Sequence, residues 1–508
     1  MNSTGHAYVE VRHGLCMAGT PLFTPDDTKE EVNRFEREAQ DTIWESPSGH
    51  RFSLNIPFSV YPPREDTNLL ASVLQRCRLP YGSSCLEIGC GSGALSLMAS
   101  SLGWRVVACD VNPLAVAASR GHAQRHGLQI DVREGGPGPN IDSPASQWGG
   151  DGTYRIVMWN MPYLHLSNDM EASHLGPLEE ASLTDTDEVG LFPRFVDRIA
   201  STNLLAKDGV ALVVLSSSGD LQRAQAVAWR SGMAAREVET CEFSDGERLG
   251  VVALWHPHHG AERLFQPTTS STNTALLDGG YPIGTSMRVD EQTSGRGRHQ
   301  RSWSSSVGSL EASWVLADGM TVNHHPLHQV MFGEAIVHHL NQAFADATPR
   351  FCLKWPNDVY VQRLDSTWAK CGGILYEMAS KGARHRLVVG LGLNATNPPD
   401  PVYGCLADVG LQRSVEQLAV EVDAIVASLH SQPKALESGV VERFAEAADA
   451  CRHGVAALGP VVVEGQVTEH PALQRSGGLR VVLNGEHIDL DDSADLVWLG
   501  IQNGIHDV

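Results

Sequence analysis

The sequence predicts a multidomain α/β protein that ends in a small β-domain, and three observations carry that prediction. Its 508 residues exceed what one hydrophobic core organises. Short β-branched runs alternate with amphipathic stretches from Leu69 to about Leu254, as βαβ units do. The last segment, from "GPVVVEG" to "ADLVWLG", instead breaks into short strands and turns.

Taken in order, "SCLEIGC", "RVVACDV", "YRIVMWN" and "GVALVVLSS" are short apolar runs bounded by Gly, Asn, Asp or Ser. They are predicted to be buried parallel strands. Residues 135–152, "GGPGPNIDSPASQWGGDG", read as a long mobile loop. The polar piece "WHPHHGAERLFQP", residues 255–267, marks the main boundary. A second α/β stretch runs from there to about Gln432, and "VVERFAEAADACRHGV" is helical in pattern. Domains are therefore expected at 1–258, 263–440 and 441–508.

Composition narrows the function. With 38 Lys+Arg against 60 Asp+Glu the formal charge is −22, so duplex nucleic acid is repelled and is not an expected partner. No run of eighteen apolar residues occurs and the first residues lack a signal pattern, so no membrane is expected and the location is read as cytoplasmic. The ten cysteines include no C-x-x-C pair, and Cys85, Cys90 and Cys109 sit in apolar contexts, which suits reduced core residues. The histidines of "HPHHG" and "NHHPLH" lie in a linker and at a loop start and form no recognisable ligand set.

In the first stretch, "CLEIGCGSGALSLMA" sets Gly89, Gly91 and Gly93 between a strand and a helical run, where a ligand can approach the helix start closely. Dinucleotide folds use such a turn too, but their third glycine follows the second by three positions and here it follows by two. Glu87 just before the turn would repel a pyrophosphate and attract the ammonium and sulfonium of S-adenosylmethionine. Asp110, where the second strand ends, can accept from both ribose hydroxyls or cap the helix that starts near Pro113. "NMPY", Asn160 to Tyr163, follows the strand "YRIVMW" directly. Methyl transfer to a planar nitrogen needs acceptors that draw its electrons out of conjugation and aim the lone pair at the methyl. An Asn oxygen and the next carbonyl do this while Tyr163 stacks on the flat group. A loop that merely ends a strand uses Asn and Pro as well.

Together these residues resemble the HemK-type release-factor glutamine methyltransferases, class I S-adenosylmethionine-dependent enzymes with a Rossmann-like domain, over roughly Phe52 to His256. "VYPPREDTNLLASVL", residues 60–74, is similar to the segment before the first strand in the archaeal and eukaryotic branch. The resemblance implies that Glu87, Gly89, Gly91, Gly93 and Asp110 bind the cofactor, with Thr67 a further contact. It gives Asn160 and Tyr163 the acceptor amide, on a release factor-like protein or a small molecule. Two positions depart from the family: Met161 stands where Pro is usual, and "VREGGPGPN" offers Glu134 in place of an adenine-side Asp. The acidic stretch at 169–188 is either a face for a basic substrate or a solvated surface.

After the boundary come "SSTN" (270–273), "DEQTSGRGRHQRSW" (290–303), "KWPND" (354–358), "KCGGILYE" (370–377) and "VVGLGLNAT" (388–396). In this order they resemble the catalytic core of biotin protein ligases, over about Arg263 to Val508 and including the family's SH3-like C-terminal domain. Joining an acid to ATP brings a carboxylate and the α-phosphate together against their repulsion. Arg296, Arg298 and Arg301 would supply the opposing field, Gly295 and Gly297 would let the loop fold over the adenylate, and Lys370 would neutralise oxygens at the new bond. Asp358 would carry Mg²⁺, Asn357 would orient the phosphates, and Gly373 is counted with the nucleotide site. The resemblance assigns Ser271, Thr272, Asn273 and Gln292 to biotin. Trp303 and Trp355 read as packing residues. Ser270 replaces a common Asp, and "QRLDSTWA" lengthens a hairpin.

A bifunctional enzyme is thus expected: an N-directed methyltransferase fused to a ligase that forms biotinyl-AMP and passes biotin to a lysine. No Met-Lys-Met sequence occurs in the chain, so that lysine belongs to a carboxyl carrier-type protein acting in trans. One rival keeps both chemistries but methylates a small molecule and adenylates a different acid. Another makes one half a degenerate binding module.

Overall fold

The computed structural model describes residues 39–136, 152–162 and 190–501, apart from 245, 323, 345, 347, 437–442, 494–495 and 500. The expected mobile loop and acidic stretch lie largely or wholly outside the described residues. The chain divides into two compact units. Unit 1 comprises Met1–Ala224, Arg236–Trp255 and Pro433–Glu437; unit 2 comprises Gln225–Ala235, His256–Gln432 and Ser438–Val508.

Unit 1 opens with an antiparallel pair, β1 (Gln40–Glu45) and β2 (Arg51–Ile56), and the helix α1 (Glu65–Gln75). Then follow β3 (Ser84–Ile88), α2 (Ala94–Ser101), β4 (Arg105–Asp110), α3 (Pro113–Arg125), β5 (Ile130–Glu134), β6 (Tyr154–Asn160), α4 (Leu191–Ser201) and β7 (Leu205–Ser216). After α5 (Ala224–Arg230), which apart from Ala224 belongs to unit 2, come β8 (Ala234–Glu242) and β9 (Arg248–Trp255). The sheet order is β5-β4-β3-β6-β7-β9-β8, with β3 to β7 parallel and β9 antiparallel to β7. The four apolar runs are strands β3, β4, β6 and β7. Their central residues are buried on both faces, so the runs carry no alternation. Strand order reverses between β3 and β6, and a crevice outside the carboxyl ends of strands at such a point is where these sheets bind ligands. Gly89, Asp110 and Asn160 all stand at those ends.

Unit 2 contains β10 (Arg263–Thr269), α6 (Thr272–Asp278), β11 (Ser286–Gln292), the two-residue strands β12 (Gly295–Arg296) and β13 (Ser302–Trp303), β14 (Ser309–Gly319) and α7 (Leu327–Asn341). Then come β15 (Phe351–Lys354), β16 (Asp358–Gln362), β17 (Trp368–Lys381), β18 (Arg384–Asn394), α8 (Val415–His430) and α9 (Phe444–Leu458). The main sheet runs β10-β11-β14-β18-β17-β16-β15 and is antiparallel except for β10 and β11. Helices α7 and α9 pack on β15 and α8 on β14. Their core includes Trp314, Phe332, Phe351 and Val389. The short strands β19 to β24, Val461 to Trp498, make two three-stranded sheets, β20-β19-β24 and β21-β22-β23.

Helix α5 carries Trp229 into this second core. Fully buried, its indole donates to Ser428 Oγ of α8 at 2.8 Å. The Ala235 N–H donates to the same oxygen at 2.9 Å, while the hydroxyl donates to Ala424 O at 2.7 Å. Ser428→Ala removes the acceptor from two buried donors, each worth about 1–3 kcal/mol when unmet, so a loss of about 2–6 kcal/mol is expected. Denaturant melts of the full chain check this.

Candidate active sites

In unit 1 the turn after β3 is held by its neighbours. Gly89, Gly91 and Gly93 all have positive φ, and a Cβ on Gly93 would stand 2.6 Å from Ser119 Oγ, so only glycine fits there. Ser119 donates to Gly91 O at 3.0 Å, and the His122 ring bonds Ser92 O through Nδ1 at 2.8 Å. Asp110, almost fully buried, accepts from the Gly91 and Asn112 N–H groups, both at 2.8 Å. The α3 cap is Asn112, whose side chain accepts from Leu114 N–H at 2.9 Å, so Asp110 is not the capping residue. Burial pushes the Asp110 carboxyl up from its ordinary value.

Glu87 is buried at the end of β3 and accepts from the Ser96 hydroxyl of α2. Burial, partly offset by that bond, pushes its pKa up to about 8. Thr67 bonds Asp66 Oδ1 at 3.2 Å and accepts from Arg64 N–H at 3.3 Å, and Asp66 also accepts from Tyr61 at 2.7 Å. The Thr67 hydroxyl therefore serves the start of α1. A Cβ on Gly91 would lie 3.4 Å from Tyr61 O, which sets the segment before α1 against the glycine turn. Asn160 Oδ1 is buried and, among the described residues, meets no donor. A buried acceptor in that state calls for a donor from a ligand or water. Tyr163 lies outside the described residues, and Glu134 is exposed at the end of β5. S-adenosylmethionine fits this set: a backbone cradle that a Cβ would fill, a buried carboxylate where a ribose would sit, and a second one for its cationic end.

In unit 2 the motif residues Ser271, Thr272, Asn273, Gln292, Arg296, Gly297, Arg298, Arg301, Asn357, Asp358, Lys370 and Gly373 line one pocket; Gly295 stands just outside it in β12. Ser271 caps α6. Gln292 Oε1 accepts from Thr272 N–H at 2.9 Å and from its hydroxyl at 3.1 Å. The Ser313 hydroxyl lies 2.7 Å from Thr272 Oγ1 and 2.6 Å from Asn273 Oδ1. The amide nitrogen of Asn273 donates to Glu377 at 2.8 Å, and Asn357 donates to Ile374 O at 3.0 Å.

Its cations are held by carboxylates. Arg296 pairs with Glu377 at 3.0 Å, Arg298 with Asp492 at 3.2 Å and Lys370 with Asp358 at 2.8 Å. His299 also reaches Asp492, at 2.6 Å. The Asp358 carboxylate thus faces an ammonium, and among the described residues no group of three or more His, Cys, Asp or Glu could hold a metal. The residues present do not form a Mg²⁺ site by themselves.

Trp303 packs on the sheet and lines the pocket as well. Its ring lies across the cross-strand pair Gly373 and Gly392, where added Cβ atoms would stand 3.0 and 2.3 Å away. Lys370 Nζ stands 5.8 Å from its ring centre. Trp355 is buried and donates to Gly477 O at 3.0 Å, as a packing residue would. Glu311 and Asp492 lie in none of the sequence motifs, and Lys354 and Glu377, at the ends of "KWPND" and "KCGGILYE", carried no assigned role. The alternate glycines of "VVGLGLN", Gly390 and Gly392 on one strand face, were the signal for a flat floor.

Residues 265–394 match the biotin/lipoate A/B protein ligase family, and residues 85–173 match a methyltransferase domain family. The bifunctional ligase/repressor BirA of Bacillus subtilis is 30% identical over 149 residues, 29% of this chain and 43% of that protein. The biotin–[acetyl-CoA-carboxylase] ligase of Mycobacterium tuberculosis is 32% identical over 155 residues, 28% of this chain and 54% of that protein. For the first stretch, the release factor glutamine methyltransferase of Geobacter sulfurreducens is 32% identical over 116 residues, 22% of this chain and 37% of that protein. The chain spans about half the length of the curated ligases it matches. It joins a class I methyltransferase domain to a C-terminal domain of the biotin protein ligase type.

Proposed function

We propose that the chain is a bifunctional enzyme: an ATP-dependent biotin–protein ligase in unit 2 and an S-adenosylmethionine-dependent, nitrogen-directed methyltransferase of the HemK type in unit 1. The observation that carries the ligase reading is a single pocket that sets the polar floor of Thr272, Asn273 and Gln292 below Arg296, Arg298 and Lys370. In that pocket the acid carboxylate attacks the α-phosphorus of ATP and pyrophosphate leaves, while arginine and lysine charges offset the gathering anions. A lysine amine of a separate carrier protein then attacks the acyl carbon and AMP leaves. The Arg296–Arg301 loop keeps water from the mixed anhydride until that lysine arrives. The small β-domain, read as SH3-like, contributes Asp492 to hold this loop. ATP–pyrophosphate exchange with biotin and a panel of other acids tests the reading: exchange is expected with biotin, and its absence there overturns the assignment of the acid.

In unit 1 the bound cofactor supplies an electrophilic methyl group. Asp110 accepts from its ribose hydroxyls, Glu87 faces its cationic end, and Asn160 Oδ1 with the Met161 carbonyl holds the acceptor NH₂. The Geobacter relative favours a protein glutamine as acceptor.

Glu87 gives this half a pH signature. With its pKa at about 8 in the protein alone it is mostly protonated at pH 7. A cation bound beside it favours the ionised form, so binding releases up to about 0.9 proton at pH 7. Affinity is expected to fall as pH drops below 8, approaching tenfold per unit. Calorimetry of S-adenosylmethionine in buffers of different ionisation enthalpy reads the proton directly, and Glu87→Gln is expected to abolish its release.

A further inference from the structure

The pocket of unit 2 is built around a carboxylate that none of its motifs contains. Glu311 lies within β14, fully buried. A charge there is tolerated only if donors surround it. Gln292 Nε2 donates to Glu311 Oε2 at 2.7 Å, Trp303 Nε1 lies 2.9 and 3.0 Å from the two oxygens, and the Ser305 side chain adds a third donor.

The consequence is directional. An ionised carboxylate only accepts, so Gln292 must turn its NH₂ to Glu311 and its oxygen to Thr272, where it meets the N–H and the hydroxyl. The indole N–H must likewise point at Glu311, which keeps the ring flat on Gly373 and Gly392. We propose that Glu311 is a positioning residue that sets substrate specificity: it turns the Gln292 oxygen to Thr272, which commits the Thr272 hydroxyl proton and leaves that hydroxyl's oxygen to accept, and it holds Trp303 as a wall, so the pocket selects acids whose far end donates N–H. This rests on reading the pocket as an acid-activating site.

Burial pushes the Glu311 pKa up to about 7, against the pull of its three donors. Once protonated, the carboxyl holds an O–H of its own and no longer dictates which end of the Gln292 amide it meets. The charged groups lining the same pocket are Arg296, Arg298, Arg301, Lys354, Lys370 and Asp358, with the His299 imidazole 2.6 Å from Asp492. All stay in place in Glu311→Gln, so their contributions cancel between the two proteins.

In acid-dependent ATP–pyrophosphate exchange, the wild-type KM for the acid is expected to rise about tenfold from pH 8 to pH 6 with kcat little changed. Glu311→Gln is expected to show a raised KM that is flat over that range. A variant with wild-type KM, or with the same pH profile, overturns the proposal while leaving the ligase reading intact. If no acid supports exchange in the wild type, the ligase reading fails instead. The ¹⁵N-indole resonance of Trp303, assigned by its loss in Trp303→Phe, then decides without turnover. It should shift with a midpoint near pH 7 in the wild type and not in Glu311→Gln; a resonance that stays still in the wild type refutes the role of Glu311.

Discussion

Lys370→Ala is expected to lower biotin-dependent ATP–pyrophosphate exchange about 10³-fold, the scale seen when a preorganised electrostatic group is removed. Lys370 stands in β17 with its ammonium 2.8 Å from Asp358 and over the Trp303 ring. Its side chain is 26% exposed, so one face is open to the pocket. The substitution subtracts the positive charge and also leaves the Asp358 carboxylate, 14% exposed, facing two incoming anions. These two losses separate in a cycle with Asp358→Asn. If Lys370 served only to neutralise Asp358, the double variant would recover exchange. Because the ammonium is read as meeting the acid and phosphate oxygens themselves, the double variant is expected to remain at least 10²-fold down. Full recovery would reassign Lys370 to the support of Asp358.

The same pocket shows what a sequence discloses. Its motifs were legible because each is local: "SSTN" caps a helix, "GRGR" is a loop that needs both glycines and charge, and "KWPND" and "KCGG" are neighbouring strand ends. Glu311 was not, because a single acidic letter in an apolar run is indistinguishable from a surface residue on one face of a strand until the register is known. The carboxylate partners were equally hidden: Glu377 and Asp492 reach Arg296 and Arg298 across 81 and 194 residues of chain. That Trp303 also lines the pocket was not readable, because tryptophan is most often packing and only the cross-strand glycines show what it packs on. In unit 1 the strands and glycine turn were readable from β-branched runs and spacing. The place of Trp229 in unit 2 was not, since a short amphipathic helix between two strands of unit 1 carries no mark of the unit it belongs to.

For unit 1 the decisive substitution is Asn160→Ala. Methyl transfer to a glutaminyl peptide is expected to fall by about 10²–10³-fold, because the oxygen that aims the acceptor nitrogen is gone and positioning errors of this kind are costly. Binding of S-adenosylmethionine should stay within about twofold, since Asp110, Glu87 and the glycine turn are untouched. Stability supplies the opposite sign and makes the test stringent. Asn160 Oδ1 is buried and meets no donor among the described residues, so replacing the side chain with a methyl group should leave the unfolding free energy unchanged or raise it by up to about 1 kcal/mol. A residue that merely ended β6 would behave the other way, losing stability with little effect on transfer. Asn160→Asp keeps an acceptor in the same place and is expected to retain more transfer than the alanine variant. If alanine and aspartate are equally inactive while binding the cofactor normally, the amide's own N–H, and not its oxygen, is what the reaction uses.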